Sequence, residues 1–281
     1  MNAFELDHVT KRYGDYVLDG LTLSLGEGGI MGLIGENGAG KTTAIRLIMG
    51  AARPDSGAVR LLGRADPARD HGVKQDVGVV LDEALFPECL TAQDVSKIMA
   101  RTYTRWDPAA YEGYIARFAL PPQKQIRDYS RGMKMKLSLA VALSHAARLL
   151  VMDEPTSGLD PVIRDEILTM LCDFTRDAGH SVLISSHILS DLEKICDYIA
   201  LLHRGRLLLC GEKDQLLERY GLFNGPEAQL KALPAAAVRA AVNTPYGARA
   251  LVDRTLLRGA GPVEPCTLED IMLYMTRGTQ A

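Results

Sequence analysis

The sequence predicts an α/β fold. A mostly parallel central sheet carries an N-terminal antiparallel β portion, an inserted helical subdomain and a small C-terminal α/β appendage. Three observations carry this. Short apolar runs alternate with helical patterns between residues 30 and 196, and strands that alternate with helices build parallel sheets. Residues 3–25 lack a helical period and read as two strands joined by a turn. The stretch from 91 to about 145 is helical and rather polar, and it separates two of the apolar runs. The expected bounds are a domain over 1–215, with the helical subdomain at about 84–146, and the appendage over 216–281.

In chain order, Phe4, Leu6, His8 and Thr10 alternate with charged positions and mark a first strand. Tyr13-Gly14-Asp15-Tyr16 turns the chain, and Val17, Leu18, Leu21, Leu23 and Leu25 give a second. Glu27-Gly28-Gly29 leads into Ile30–Ile34, an apolar run that fits a strand buried on both faces. After a glycine-rich loop comes a helix with Ile45, Ile48 and Met49 at helical spacing. Gly50 stands where a helix end favours a left-handed residue. Past the turn at Arg53–Gly57, Val59, Leu61 and Leu62 predict a strand, and 67–75 is helical or irregular. Val77–Leu81 is a second buried strand, ending in Asp82-Glu83.

The helical stretch opens on Thr91-Ala-Gln-Asp94, a capping box with Asp in place of Glu, restarts at Asp107-Pro108 and breaks at Pro121-Pro122. Ser130–Ser144 is a helix with an apolar second half, leading into the strand Leu149–Met152. Asp160 caps, and Pro161 opens, a helix over 161–178. Ser181–Ile184 is another strand and 188–196 another helix. Tyr198–Leu202 and Leu207–Cys210 form a hairpin across Arg204-Gly205. Beyond 215 the pattern weakens among Gly225-Pro226, Pro234, Pro245 and Gly259–Pro262, until Thr267-Leu-Glu-Asp270 opens a last helix.

Composition narrows the function. With 32 basic and 35 acidic residues the net charge is −3, against the basic surface that nucleic-acid binding needs, so no nucleic-acid partner is expected. Five cysteines, widely spaced and without a C-x-x-C pair, read as small buried thiols in a reducing compartment. The opening Met1–Asp7 has no basic region and no apolar stretch, which argues against a secretory leader. No apolar run nears the ~18 residues of a membrane span, so a cytoplasmic chain is expected whose membrane role comes through a partner.

The chemistry centres on Gly35-Glu36-Asn37-Gly38-Ala39-Gly40-Lys41-Thr42-Thr43. The pattern G-x-x-x-x-G-K-[ST] becomes specific when a buried strand precedes it and a helix follows, as here. Gly35, Gly38 and Gly40 let the backbone approach phosphate oxygens without a Cβ in the way. Successive N–H groups and the helix N-terminus then face an anion. Lys41 reaches the β- and γ-phosphates, and the Thr42 hydroxyl is placed to ligate Mg²⁺. Asp153, at the end of a buried strand, supplies the carboxylate of a nucleotide–Mg²⁺ site, and Glu154 is suited to polarise a water for in-line attack.

These motifs resemble the ATP-binding subunits of ABC transporters. Leu150-Val-Met-Asp-Glu-Pro155 is similar to the family's Walker B motif and Ser157-Gly-Leu-Asp160 to its D-loop. Ser186-His187 matches its switch histidine, and Tyr129-Ser-Arg-Gly-Met133 sits where the family has its signature, Leu-Ser-Gly-Gly-Gln. The motifs keep family order from about residue 4 to 210. The resemblance implies a P-loop NTPase of ABC type that hydrolyses ATP and closes head to tail with a second ATPase subunit, identical or a sister. Tyr13 would stack on adenine. Ser130 and the Gly132 N–H would approach a γ-phosphate held by the opposite subunit. Glu154 would be the general base, His187 a γ-phosphate contact, and Asp160 a signal across the dimer. The implied partner is a separately encoded multi-span membrane subunit, which would hold the chain on the inner face of the membrane.

Two departures stand out. Asp82 occupies the place of the Q-loop glutamine, where a hard carboxylate oxygen would meet Mg²⁺ directly or through water. The signature has Arg131 for Gly and Met133 for Gln, while Ser130 and Gly132 are kept. With the ending Thr-Leu-Glu-Asp-Ile-Met, these variants resemble the ABC-2-type, bacitracin-resistance-like exporter branch. An importer ATPase, or a soluble ABC-type ATPase acting on ribosomes or DNA, is the alternative. A GTPase reading lacks its Asn-Lys-x-Asp stretch. His8, His71, His145, His180 and His203 are expected at surfaces or edges, Trp106 in the core of the helical insertion, and Leu268, Ile271, Met272 and Met275 in the core of the appendage.

Overall fold

The computed structural model describes residues 1–81, 86–177, 179–244, 247–257 and 263–277. Strands β1 (Asn2–Tyr13) and β2 (Tyr16–Gly26) form a hairpin, followed by β3 (Ile30–Ile34) and helix α1 (Lys41–Ile48). Then come β4 (Ser56–Leu61), β5 (Arg64–Ala65) and β6 (Val77–Val80). Helices α2 (Ala92–Thr102), α3 (Pro108–Arg117) and α4 (Arg131–Leu143) separate β6 from β7 (Leu149–Asp153). The chain continues through α5 (Pro161–Phe174), β8 (Ser181–Ser185), α6 (Leu189–Ile195), β9 (Tyr198–His203) and β10 (Arg206–Glu212). The last part comprises α7 (Lys213–Arg219), β11 (Tyr220–Gly225), α8 (Glu227–Lys231), β12 (Val238–Thr244), β13 (Gly247–Asp253), β14 (Val263–Pro265) and α9 (Leu268–Arg277).

Three sheets result. The central one has the order β10-β9-β3-β8-β7-β6, parallel except for the antiparallel edge strand β10. The N-terminal strands form a separate antiparallel sheet, β2-β1-β4-β5. The third, β12-β13-β11-β14, is also antiparallel.

Why the middle strands are uniformly apolar follows from where they lie. Ile30, Ile34, Leu150, Met152, Val182, Ile184, Ile199 and Leu201 enter one core with α4, α5 and α6. The alternating residues Met31, Leu33, Leu149, Val151, Leu183, Ala200 and Leu202 enter the other, with α1 and the N-terminal sheet. A period of two that is apolar on both phases is the mark of a sheet covered on both faces.

Local sequence rules set the helix ends. Thr91 and Asp94 complete the capping box of α2, Asp107 caps α3 ahead of Pro108, and Ser130 caps α4. Asp160 caps α5, which stops at Phe174, four residues before the expected 178; the His180 ring stacks on Phe174 at 4.5 Å. Gly50 takes φ 65°, the left-handed geometry expected there. Trp106 is half-buried against Tyr111 in the helical insertion.

Other expectations are corrected. The alternation through His8 and Thr10 breaks, because His8 adopts φ 48° and the register slips between Leu6 and Val9. Val9 enters the core instead and His8 is exposed. His145 is no surface residue. It is 1% exposed, stacked on Tyr103 at 3.8 Å, with its ring nitrogens 3.0 and 3.2 Å from the carbonyls of Val141 and Val77. Burial pushes its pKa below the usual histidine value, though both carbonyls oppose this. Cys89 and Cys210 are exposed, unlike the buried Cys196 and Cys266.

Helix α9 docks on α6, with Leu268 N donating to Glu193 Oε1 at 2.5 Å, and Leu268 and Ile271 are fully buried. Met272 and Met275 pack partly buried on the same cluster, which continues into Tyr220, Ala240 and Leu251 of the third sheet. Asp253, fully buried at the end of β13, accepts hydrogen bonds from Arg219 and Arg239 at 2.9 and 2.7 Å and from the Thr255 hydroxyl at 2.5 Å. Burial alone would raise its pKa, but the two guanidiniums and the hydroxyl hold it well below the usual carboxylate range. A carboxylate depressed on folding stabilises above its unfolded pKa and loses that contribution as pH falls toward the folded value. Asp253→Asn is therefore expected to cost about 2–3 kcal/mol at neutral pH. Denaturant unfolding should show the gap from wild type closing as pH falls below about 4.

Candidate active site

Strands β3, β8 and β7 lie side by side and run the same way, so their C-terminal ends open on one edge of the sheet. Open parallel sheets bind ligands at that edge. Here it receives the loop after β3, Asp153 at the end of β7 with Glu154 just past it, and Ser186-His187 after β8. A cleft of about 310 Å³ forms there, lined by Tyr16, Glu36 to Thr43, Asp153 and Glu154.

The glycines of the loop differ in what they permit. Gly40 precedes α1 with φ 114°, and a Cβ on it would lie 2.2 Å from the Tyr16 hydroxyl. A Cβ on Gly35 would lie 2.4 Å from the Leu202 carbonyl oxygen, whereas Gly38 faces open space. No side chain caps α1, so its N-terminal N–H groups face the cleft without a built-in acceptor.

The charged groups form one connected set. Lys41, 7% exposed, donates to the Gly35 carbonyl at 2.7 Å and stands 3.6 Å from Glu154 Oε1. The other Glu154 oxygen accepts from the His187 backbone N–H at 3.1 Å and meets His187 Nδ1 at 2.6 Å. Glu154 has φ 53°, a conformation uncommon outside glycine and one that concentrates at functional sites. Asp153 accepts from the Thr42 hydroxyl at 2.9 Å and, on its other oxygen, from the Ser185 hydroxyl at 2.5 Å.

Thr42 and Asp153 are hard oxygen donors side by side, and among the described residues no cluster of three His, Cys, Asp or Glu converges. That donor set fits Mg²⁺, which takes one or two protein oxygens together with phosphates and water rather than an all-protein cage.

Of the residues singled out in the sequence, Gly35 through Thr43, Asp153, Glu154 and His187 are brought together. Ser130, Gly132 and Asp160 form a second group that does not line the cleft. Ser130 Oγ accepts from Met133 N at 3.3 Å, and Asp160 Oδ1 accepts from Val162 and Ile163 N, both at 3.1 Å. Gly132 packs against Ile163 and Leu159, so the two motifs adjoin, and the Arg131 guanidinium lies over Gly158. Tyr13 is 47% exposed near Lys11 and is not in the cleft lining. Asp82 lies outside the described residues.

Sequence reasoning missed two groups. Tyr16 reaches under the phosphate loop; burial raises its hydroxyl pKa, with the nearby Thr43 side chain opposing. Its signal was an aromatic opening the second strand. Ser185 was legible as a polar residue closing a buried strand, but only the parallel register sets it opposite Asp153.

Comparison with known proteins agrees with this geometry. Residues 18–157 match the ABC transporter family. The bacitracin transport ATP-binding protein BcrA of Enterococcus faecalis is 36% identical over 209 residues, covering 73% of this chain and 68% of that protein. The Nod factor export ATP-binding protein I of Rhizobium meliloti is 34% identical over 244 residues, covering 82% and 72%. A solved structure of an ATP-binding subunit of an ABC transporter superposes with a TM-score of 0.70 at 26% identity, covering 77% of this chain and 92% of that one.

The loop geometry makes a graded prediction. Gly40→Ala combines a left-handed φ with a clash against Tyr16 and is expected to cost about 2 kcal/mol or more. Gly38→Ala meets only the φ penalty, about 1 kcal/mol. Thermal unfolding of both variants checks the order.

Proposed function

The chain belongs to the ABC transporter family as an ATP-binding subunit with ATPase activity, and we propose that it powers an exporter by ATP-driven, head-to-tail dimerisation. The observation that carries this reading is the split of its motifs. The phosphate loop, Asp153 and Glu154 share one cleft, with His187 hydrogen-bonded to Glu154, while Ser130, Gly132 and Asp160 form a separate group. A second copy or a sister ATPase, facing the cleft with that group, would complete the site.

In this reading the N–H groups of the loop and Lys41 bind the β- and γ-phosphates of ATP. Thr42 and Asp153 hold Mg²⁺, which when bound neutralises charge on the transferring phosphoryl group. Glu154 accepts a proton from the attacking water, and His187 orients Glu154 and meets the γ-phosphate. Ser130 and the Gly132 N–H donate from the opposite subunit to the same phosphate. Tyr13 and Asp82 keep their proposed roles beside adenine and Mg²⁺. The ATPase domain is assigned to 1–215, with its helical subdomain at about 84–146, and the appendage to 216–281.

Export is supported by the names of relatives that transport bacitracin or export Nod factor. No helix among the described residues is long and apolar enough to cross a membrane. The proposed partner is therefore a separately encoded multi-span protein that seats the chain on the inner face of the membrane.

Glu154→Gln is expected to lower phosphate release by about 100-fold or more while ATP still binds, and to accumulate a dimer on size exclusion with ATP. Unchanged hydrolysis would remove Glu154 as the base. Tagged Glu154→Gln, recovered from membranes of its own host in mild detergent with ATP, is expected to bring a stoichiometric multi-span protein. Recovery with ribosomal proteins instead would favour the ribosome-acting alternative.

A further inference from the structure

Ser185 is the last residue of β8, fully buried, and stands opposite Asp153 in the parallel register. Its hydroxyl has a single hydrogen, and Asp153 Oδ1 receives it at 2.5 Å. Ser185 Oγ in turn accepts from the backbone N–H of Glu154 at 3.1 Å, and so does the Ser185 carbonyl, also at 3.1 Å. One side chain therefore contacts both consecutive carboxylate residues of the cleft. It fixes the carboxylate of the first and the backbone of the second, which sits at φ 53°.

We infer that Ser185 is a positioning residue that presents Asp153 to Mg²⁺, an inference that rests on the ATP–Mg²⁺ reading above. Asp153 Oδ1 is taken by Ser185, so Oδ2 is the oxygen turned toward the Thr42 hydroxyl. Rotation of the carboxylate would exchange the two oxygens, and the Ser185 hydrogen bond opposes it. The bond is made to the oxygen that Thr42 does not meet, so metal binding at Oδ2 does not compete with it. Groups that hold a metal ligand in this way set affinity without touching the ion. The backbone contact to Glu154 adds a second consequence, since it ties the placement of the base to the same hydroxyl.

The test uses the full chain and a fluorescent ATP analogue followed by polarisation, with Mg²⁺ titrated in. Ser185→Ala is expected to raise the Mg²⁺ concentration at the midpoint of nucleotide tightening about tenfold. Its affinity for the analogue in EDTA should equal that of wild type, which a general loss of structure would not allow. Ser185→Thr, which keeps the hydroxyl, should restore the Mg²⁺ midpoint. A wild-type midpoint in Ser185→Ala, or a matching loss of affinity in EDTA, would overturn the inference. Should the alanine variant not fold, Ser185→Cys, a weaker donor and acceptor of similar size, carries the comparison under the same criteria. Lys41→Ala in the same assay separates the two layers. Wild-type binding there would sink the nucleotide-site reading itself, whatever Ser185 does.

Discussion

The structure depends on one register. Parallel pairing sets Asp153 beside Ser185 at the ends of β7 and β8, and β8 in turn pairs with β3. Within the strands every position is buried, so there is nowhere along their length for charge. Polar chemistry is confined to the ends, and the common direction of the strands gathers those ends on one edge. A slip of one residue would turn Leu150 and Met152 from one core to the other and would separate Asp153 from Ser185 and Thr42. The register that fills the two cores is therefore also the one that assembles the site.

The free energy of the cleft is arranged around a charge that comes from outside. Lys41 is nearly buried, and its neighbours are one carbonyl and one carboxylate. At the 3.6 Å separation from Glu154, the attraction is on the order of 4 kcal/mol for an effective dielectric near 20. A triphosphate brings several negative charges against the single one of Glu154. Under the proposed reading it takes Lys41, and the helix N-terminus above it, away from that carboxylate. Glu154 would then keep His187 as its remaining partner.

Much of this was legible in the sequence because the signals were local. The phosphate loop announces itself through a strand, three glycines and a helix within twenty residues, from Ile30 to Met49. The caps at Thr91, Asp107, Ser130 and Asp160 each act over three positions or fewer. What escaped was non-local or rested on an exception to a period. The bulge at His8 has no residue type that marks it, so a strict alternation put His8 where Val9 lies. His145 follows the apolar half of α4 and reads as a helix-end polar residue. Only the tertiary fold brings Val77 and Tyr103 around its ring. Ser185 and Tyr16 belong to the same class, since each meets its partner across elements far apart in sequence.

The second motif group is where the proposed reading calls on a second chain. Gly132 packs on Leu159 and Ile163, so the start of α4 and the start of α5 form one surface. Ser130 and Asp160 cap those helices with their own side chains, which holds the helix ends in fixed positions. Neither side chain lines the cleft of its own chain. Under the proposed reading, this surface, with a helix N-terminus and an exposed hydroxyl, would meet a phosphate held in the cleft of another subunit. In the proposed reading ATP would sit between two subunits. Its binding energy would then be shared between them, so that occupancy of the cleft and closure of the pair would favour each other.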